Sequence, residues 1–78
     1  MGTLRVYKGK ENQVLGITFH DNEGNLYAIR RGFKKHRYPP LTKKNLRVEI
    51  EAEVIKENKG RVTLRTKDGM TITLWRAK

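Results

Sequence analysis

The sequence predicts an all-β protein, a small antiparallel barrel of five to six strands. Three short segments end in glycine, and each lies between runs rich in β-branched and aromatic residues; they are Asn22-Glu23-Gly24, Asn58-Lys59-Gly60 and Lys67-Asp68-Gly69. Such segments are typical of hairpin loops. From Leu46 to Val54 apolar residues alternate with charged ones, which is the period-two pattern of a half-buried strand. No long helical pattern interrupts these strands.

Six strands are predicted in the order of the chain. They are Thr3 to Lys8, Val14 to His20, Leu26 to Arg31, Leu46 to Glu57, Arg61 to Thr66 and Met70 to Trp75. The length of the fourth suggests a bent strand shared between two sheets. The connection before it contains Pro39-Pro40, which bars a continuous strand and disfavours helix at Tyr38. A single helical turn around Gly32 to Arg37 remains compatible with this connection.

Each glycine-ended loop is predicted to have three residues, with its glycine at positive φ in a G1 bulge. On this rule Asp21 pairs with Asn25, Glu57 with Arg61 and Thr66 with Met70. The strand pairs that follow are Phe19 with Tyr27, Ile17 with Ile29, Val54 with Leu64, Ala52 with Thr66, Glu53 with Arg65, Glu51 with Lys67, Leu64 with Ile72 and Val62 with Leu74. In all three hairpins the apolar side chains fall on one face, which predicts a shared core that includes Ile50, Val54, Leu64 and Ile72.

Part of the chain resembles a known family. Lys44-Asn45-Leu46-Arg47-Val48-Glu49-Ile50, followed by Lys59-Gly60-Arg61-Val62-Thr63-Leu64, resembles the closing hairpin of OB-fold barrels such as cold-shock and initiation-factor-one-like proteins. The resemblance implies an OB-like barrel of a kind that binds nucleic acids. It carries over no residue roles, because the aromatic strand motif of those proteins is missing from Val14 to Phe19. An SH3-like barrel is the alternative that fits the same six strands.

Length and composition limit the kinds of protein that the chain could be. At 78 residues it is expected to form one domain, 1–78, and the absence of cysteine excludes disulfides and thiolate metal sites. Its two histidines are too few for a closed zinc site, and we expect no cofactor. No apolar run approaches the roughly 20 residues that span a bilayer, and the N-terminus lacks the apolar segment of a signal peptide. We therefore expect a cytoplasmic protein, or a viral one that acts in the host cytoplasm, with no membrane partner.

The charge of the chain is strongly positive. Lys and Arg number 18 against 8 Asp and Glu, a formal net charge of +10, and such an excess favours a polyanionic partner. The cations are densest from Arg30 to Arg47, where eight occur without an acidic residue and aromatic rings are interleaved. Cations neutralise phosphates and flat side chains stack on bases, so this combination indicates a nucleic-acid surface. The predicted binding residues are Arg30, Arg31, Phe33, Lys34, Lys35, His36, Arg37, Tyr38, Lys43, Lys44, Arg47, Arg61, Arg65 and Trp75.

Two parts of this prediction have a structural alternative. The basic segment could be a solvated loop whose cations maintain solubility, with Phe33 or Tyr38 folded back over the core. Trp75 is predicted on the outer face of the last strand, across from Arg61. There it could be exposed for stacking on bases, or it could cover a barrel end with the Arg61 guanidinium stacked on its ring.

The function that the sequence favours is binding of DNA or RNA, mainly through the phosphate backbone. The alternative is a protein-interaction module, such as a phage-type inhibitor or an assembly subunit, that docks an acidic protein surface. We expect no enzyme, because the chain has no Ser and its Glu49, Glu51 and Glu53 alternate with core residues on an exposed face. Accordingly we expect no catalytic or metal-binding residue and no small-molecule substrate. Whether the nucleic acid is DNA or RNA, single strand or duplex, is left open.

Overall fold

Six antiparallel strands form a closed barrel in the computed structural model, which describes residues 1–29 and 42–77. The strands are β1 (Gly2–Lys8), β2 (Val14–Asp21), β3 (Leu26–Ala28), β4 (Leu46–Asn58), β5 (Arg61–Thr66) and β6 (Thr71–Arg76). One turn of 3₁₀ helix, Lys43–Asn45, precedes β4. The predicted all-β antiparallel barrel is therefore confirmed, with six strands.

Two three-stranded meanders build the barrel. Strands β1, β2 and β3 are consecutive neighbours, and so are β4, β5 and β6. The meanders join through two antiparallel pairs, β1 with β4 and β3 with β6, which gives the order β1-β2-β3-β6-β5-β4 around the barrel. The long β4 belongs to both sides of one junction, since its first half pairs with β1 and its second half with β5. The strand was predicted to be shared between two sheets, but the structure has one closed sheet, in which β4 is shared between the two meanders.

All six strands contribute side chains to the barrel interior. The buried residues there are Leu4, Phe19, Tyr27, Ala52, Val62, Leu64 and Leu74, with Ile17, Ile50 and Ile72 packed against them. Phe19 faces Tyr27 as predicted, and their ring centroids are 6.1 Å apart. A second, smaller cluster lies around Tyr7 and Ala28. The interior thus uses most of the large apolar residues that the strands provide, while Val14, Val48, Val54 and Ile55 remain exposed.

The first and last hairpin loops have the predicted form. The amide of Asp21 donates to the carbonyl of Asn25 at 3.1 Å, and the amide of Thr66 donates to the carbonyl of Met70 at 2.8 Å. Of the pairs predicted from these loops, Phe19 with Tyr27, Leu64 with Ile72 and Val62 with Leu74 are observed, whereas Ile29 lies beyond the end of β3. The glycines of all three loops have positive φ as predicted, with values of 86° at Gly24, 81° at Gly60 and 92° at Gly69.

The loop between β4 and β5 differs from its prediction. It has two residues, Lys59 and Gly60, and Asn58 in place of Glu57 pairs with Arg61. The φ angles of 47° at Lys59 and 81° at Gly60 are those of a type I′ turn, whose twist matches the twist of paired strands. The prediction of a three-residue loop was wrong here because it assigned positive φ to the glycine alone. Lys59 also adopts the left-handed conformation, although it has a side chain.

A bulge in β4 compensates for the shorter loop. The pairing shifts by one residue between Val54 and Lys56, which leaves Ile55 without a partner on β5. Beyond the bulge Val54 faces Leu64. This pair agrees with the prediction, although the predicted loop length was wrong. Between the bulge and the turn, however, every side chain of β4 lies on the face opposite to the one predicted.

Four apolar residues predicted on the core face lie at the surface. The exposed fraction is 39% at Ile29, 41% at Val48, 38% at Val54 and 67% at Met70. The pairing of β1 with β4 ends at Ala52, so Val54 lies beyond the part of β4 that β1 covers. Met70 directly follows the last loop, and β6 begins one residue later than predicted.

Strand β3 is also shorter than predicted. It ends at Ala28, although the amide of Ile29 still donates to the carbonyl of Ile17 at 3.1 Å. The remainder of the predicted strand, Arg30 and Arg31, lies outside the described residues.

The side chain of Asp21 organises the first loop. One carboxylate oxygen accepts hydrogen bonds from the amides of Glu23 and Asn25 at 2.9 and 2.8 Å, and the other accepts from the Asn25 side chain at 3.0 Å. Partial desolvation raises the pKa of Asp21, but these hydrogen bonds outweigh it and hold the pKa below its ordinary value of 3.8.

Leu64→Ala is expected to lower the free energy of unfolding by about 2 to 5 kcal/mol, because it removes buried methyl groups and leaves a cavity. Val54→Ala is the matched control, since Val54 faces Leu64 across the strands but is exposed. Its cost should stay below about 1 kcal/mol. Urea unfolding of both variants measures the difference, and equal costs would contradict this assignment of the core.

Asp21→Asn should destabilise the fold at neutral pH by an amount that shrinks in acid. A carboxylate whose pKa is depressed by folding stabilises the folded state above its unfolded pKa, and this contribution is lost as the pH falls through the folded pKa. The difference in melting temperature between variant and wild type should therefore narrow below about pH 4. A difference that stays constant from neutral pH to about pH 2 would show that the charge of Asp21 is not what holds the loop.

Candidate nucleic-acid interface

Strand β5 presents two chemically distinct faces because successive residues of a strand point to opposite sides. Val62, Leu64 and Thr66 are buried, whereas Arg61 and Arg65 are exposed. Strands β4 and β6 pair with β5 on either side, so the outward residues of the three strands form one continuous surface. The packing of the barrel interior therefore determines which residues this surface displays.

Three cross-strand rows make up the surface. From β4 to β6 they are Asn58, Arg61 and Trp75; Lys56, Thr63 and Thr73; and Glu53, Arg65 and Thr71. Lys59 lies in the turn at the end of the first row. We define the basic outer face as Lys56, Asn58, Lys59, Arg61, Thr63, Arg65, Thr73 and Trp75.

Arg61 and Trp75 are direct neighbours at one end of this face. The amide of Arg76 donates to the carbonyl of Gly60 at 2.7 Å, which makes Arg61 and Trp75 a non-hydrogen-bonded pair. In such a pair the Cα atoms are about 4.5 Å apart and the side chains are closest. The prediction that Trp75 lies across from Arg61 is confirmed.

The Arg61 guanidinium is not stacked on the Trp75 ring. Among residues 1–29 and 42–77 the ring contact found is the one between Phe19 and Tyr27. A depression of about 230 Å³ instead opens between the two side chains, lined by Asn58, Lys59, Arg61 and Trp75. Trp75 is half-buried, so part of its ring is covered and part borders this depression.

The cations of the basic outer face have no side-chain partners among residues 1–29 and 42–77. Within the described part of the chain, no side-chain hydrogen bond or ion pair engages Lys56, Lys59, Arg61 or Arg65. Glu53 faces Arg65 in register, as predicted, but the two form no ion pair. These positive charges are therefore available to an external anion.

The two-residue turn places Lys56 and Asn58 on this face. With the predicted three-residue loop, Lys56 would lie opposite the buried Val62 and point inward. Because the turn is shorter, Lys56 lies opposite Thr63 and Asn58 lies opposite Arg61, and the bulge at Ile55 absorbs the difference in register. Lys56 and Asn58 were not among the predicted binding residues for this reason. The adjacent pair Val54-Ile55 was the one signal, since two consecutive apolar residues break the period-two pattern.

Lys43, Lys44 and Arg47 form a separate cluster at the start of β4. Lys43 and Lys44 are exposed in the 3₁₀ turn. Arg47 is exposed too, but its guanidinium donates to the carbonyl of Lys44 at 2.7 Å and so also serves the local fold. Residues 48–58 of β4, which bends around the barrel from β1 to β5, lie between this cluster and Lys59. The structure thus divides the predicted binding residues between two places.

The remaining predicted binding residues lie outside the described residues. They are Arg30, Arg31, Phe33, Lys34, Lys35, His36, Arg37 and Tyr38. The chain reaches this segment from Ala28, which pairs with Trp75, and returns from it at Thr42, next to Lys43.

Metal sites and membrane-spanning helices find no support in the described ranges 1–29 and 42–77. No group of three acidic or histidine side chains there could hold a metal ion. No helix in those ranges is long and apolar enough to cross a membrane. In comparisons with known proteins, the chain matches no protein-family model, no curated protein and no solved structure.

Proposed function

We propose that the protein binds nucleic acid through the basic outer face, mainly by contact with phosphates. The supporting observation is that four cations without side-chain partners in the described part of the chain, Lys56, Lys59, Arg61 and Arg65, share one face with Trp75. Cations neutralise the phosphate backbone and release its counterions, which supplies most of the affinity in sequence-independent binding. The indole and guanidinium surfaces add faces on which bases stack.

The distribution of acidic residues favours the same proposal. Glu49 is paired with Arg5 at 2.7 Å across β1 and β4, and Asp21 is held in the first loop. Asp68 accepts a hydrogen bond from the Thr66 hydroxyl in the last loop. The first two rows of the basic outer face contain no carboxylate. An approaching polyanion therefore meets uncompensated positive charge in these two rows, whereas Glu53 lies opposite Arg65 in the third row.

The cations between Arg30 and Arg47 are proposed to extend the same function. This second part rests on the sequence, in which eight cations and interleaved aromatic residues occur without an acid. The proposal assigns the protein a binding role, with no catalytic activity and no cofactor. DNA and RNA are both compatible with backbone contacts.

The salt dependence of binding tests this function. The triple variant Lys56→Gln, Arg61→Gln, Arg65→Gln removes three cations from the basic outer face. It should weaken binding to all sequences alike and reduce the slope of log K against log salt by about 2.7 on duplex DNA or about 2.1 on a single strand. Fluorescence anisotropy with one labelled duplex and one labelled single strand across a salt series gives the slopes.

Two other triple variants serve as controls of equal charge. Lys8→Gln, Lys10→Gln, Lys67→Gln removes three cations outside both proposed regions, and Lys34→Gln, Lys35→Gln, Arg37→Gln tests the basic segment found in the sequence. The first control should change the slope less than the variant of the basic outer face. Equal losses in all three would show that net charge alone acts, and no binding by the wild type would favour the acidic protein surface as the partner.

A further inference from the structure

Two neighbouring depressions lie on the basic outer face, and they share two residues. The first, of about 230 Å³, is lined by Asn58, Lys59, Arg61 and Trp75. The second, of about 140 Å³, is lined by Lys56, Asn58, Arg61, Thr63 and Thr73. The first follows the row that contains Trp75 and the second follows the next row, and successive rows on one face are about 7 Å apart. Arg61 and Asn58 stand between the two depressions.

The two depressions differ in chemistry. The first offers an indole ring, a guanidinium plane and a side-chain amide, which are groups that stack on a base or bond to its edge. The second offers the Lys56 ammonium and the hydroxyls of Thr63 and Thr73, which share a hydrogen bond at 3.4 Å and so leave one hydroxyl proton to donate outward. Ammonium and hydroxyl groups are typical donors to phosphate oxygens. No carboxylate lines either depression.

We propose that the two depressions form one nucleotide subsite for single-stranded nucleic acid, with the base between Trp75 and Arg61 and its phosphate at Lys56, Thr63 and Thr73. The inference rests on the proposed function and deepens it by naming the class of nucleic acid. Arg61 serves both parts, because its planar group borders the base and its charge faces the phosphate. Asn58 supplies a donor and an acceptor at the base edge.

The shape of the face favours a single strand over a duplex. A base can stack on Trp75 only if one of its own faces is uncovered, and in a duplex the neighbouring base pairs cover both faces. The major groove of B-DNA is about 12 Å wide and admits a helix or a two-stranded ribbon. The basic outer face is three strands wide, about 10 Å between its outer backbones before side chains are added. It is therefore too broad to enter that groove.

Trp75 is the one tryptophan of the chain, so its fluorescence reports on the subsite directly. A single strand of mixed sequence should quench this fluorescence with the same midpoint as its anisotropy titration, and the blunt duplex made from it should not. Trp75→Leu should weaken single-strand binding by about 5- to 150-fold. The same variant should leave duplex binding essentially unchanged.

Two further variants separate the parts of the subsite. Lys56→Gln should lower the salt slope on the single strand by about 0.7 and leave the extent of Trp75 quenching as in the wild type. Thr71→Ala, on the same strand as Trp75 but outside both depressions, should bind as the wild type does. Thermal melting of every variant checks the fold. The quenching of Trp75 fluorescence is measured on the wild-type protein, so it tests the subsite even if a variant does not fold.

Two results would overturn the subsite and leave the proposed function intact. One is single-strand binding by the wild type without a change in Trp75 fluorescence. The other is an equal loss of single-strand and duplex binding in a folded Trp75→Leu protein. If neither oligonucleotide binds the wild type at low salt, the proposed function itself fails, which distinguishes the two outcomes.

Discussion

The alternation of side chains along β5 is the constraint on which both the core and the candidate interface depend. Val62 and Leu64 are fully buried, and β5 pairs with a strand on either side. A shift of β5 by one residue would expose these side chains and bury the guanidinium groups of Arg61 and Arg65, at a cost of many kcal/mol for burying unpaired charges. The hydrophobic core therefore keeps the arginines on the outside. The positions of the cations follow from packing and require no separate stabilising contact.

The bulge at Ile55 and the type I′ turn complete this arrangement. A two-residue turn brings Asn58 opposite Arg61, and the bulge returns the pairing to Val54 opposite Leu64. Each feature alone would shift one half of β4 out of register with the core. Together they leave the core unchanged and reverse the faces to which the last side chains of β4 point, so that Lys56 lies on the outer face. β-bulges commonly re-aim side chains in this way next to functional sites.

The sequence predicted the fold class, the six strands and most strand pairs because hairpin chemistry is local. Gly24 and Gly69 mark loops whose length is set by one residue at positive φ. The apolar pattern of the flanking strands supports the same loop length. The β4–β5 hairpin was predicted with the wrong loop length because Lys59 adopts positive φ. This conformation costs energy for a residue with a side chain, and no propensity rule predicts it at a lysine. The pairing of β3 with β6, which closes the barrel, involves residues about 50 positions apart and leaves no local pattern.

The interface was predictable only in part, for a related reason. The sequence predicted Arg61, Arg65 and Trp75 because the register between β5 and β6 was predicted correctly. The sequence did not predict that Lys43, Lys44 and Arg47 lie apart from these residues. Their position depends on the direction in which β4 runs across the barrel, and the order of cations along the chain does not specify that direction. The unpaired state of the cations is likewise a property of the folded surface, since it depends on which acids Arg5 and the loops engage.

The central claim is that the basic outer face contacts nucleic acid, and chemical-shift mapping of the wild-type protein tests it most directly. Backbone amide and indole N–H signals are recorded while a single-stranded oligonucleotide is added at low salt. The account predicts that the largest changes occur at residues 56–63 and 71–75, with the Trp75 indole N–H among them, while the buried amides of β1 and β2 stay in place. Binding that leaves residues 56–63 and the Trp75 indole unchanged would contradict the account.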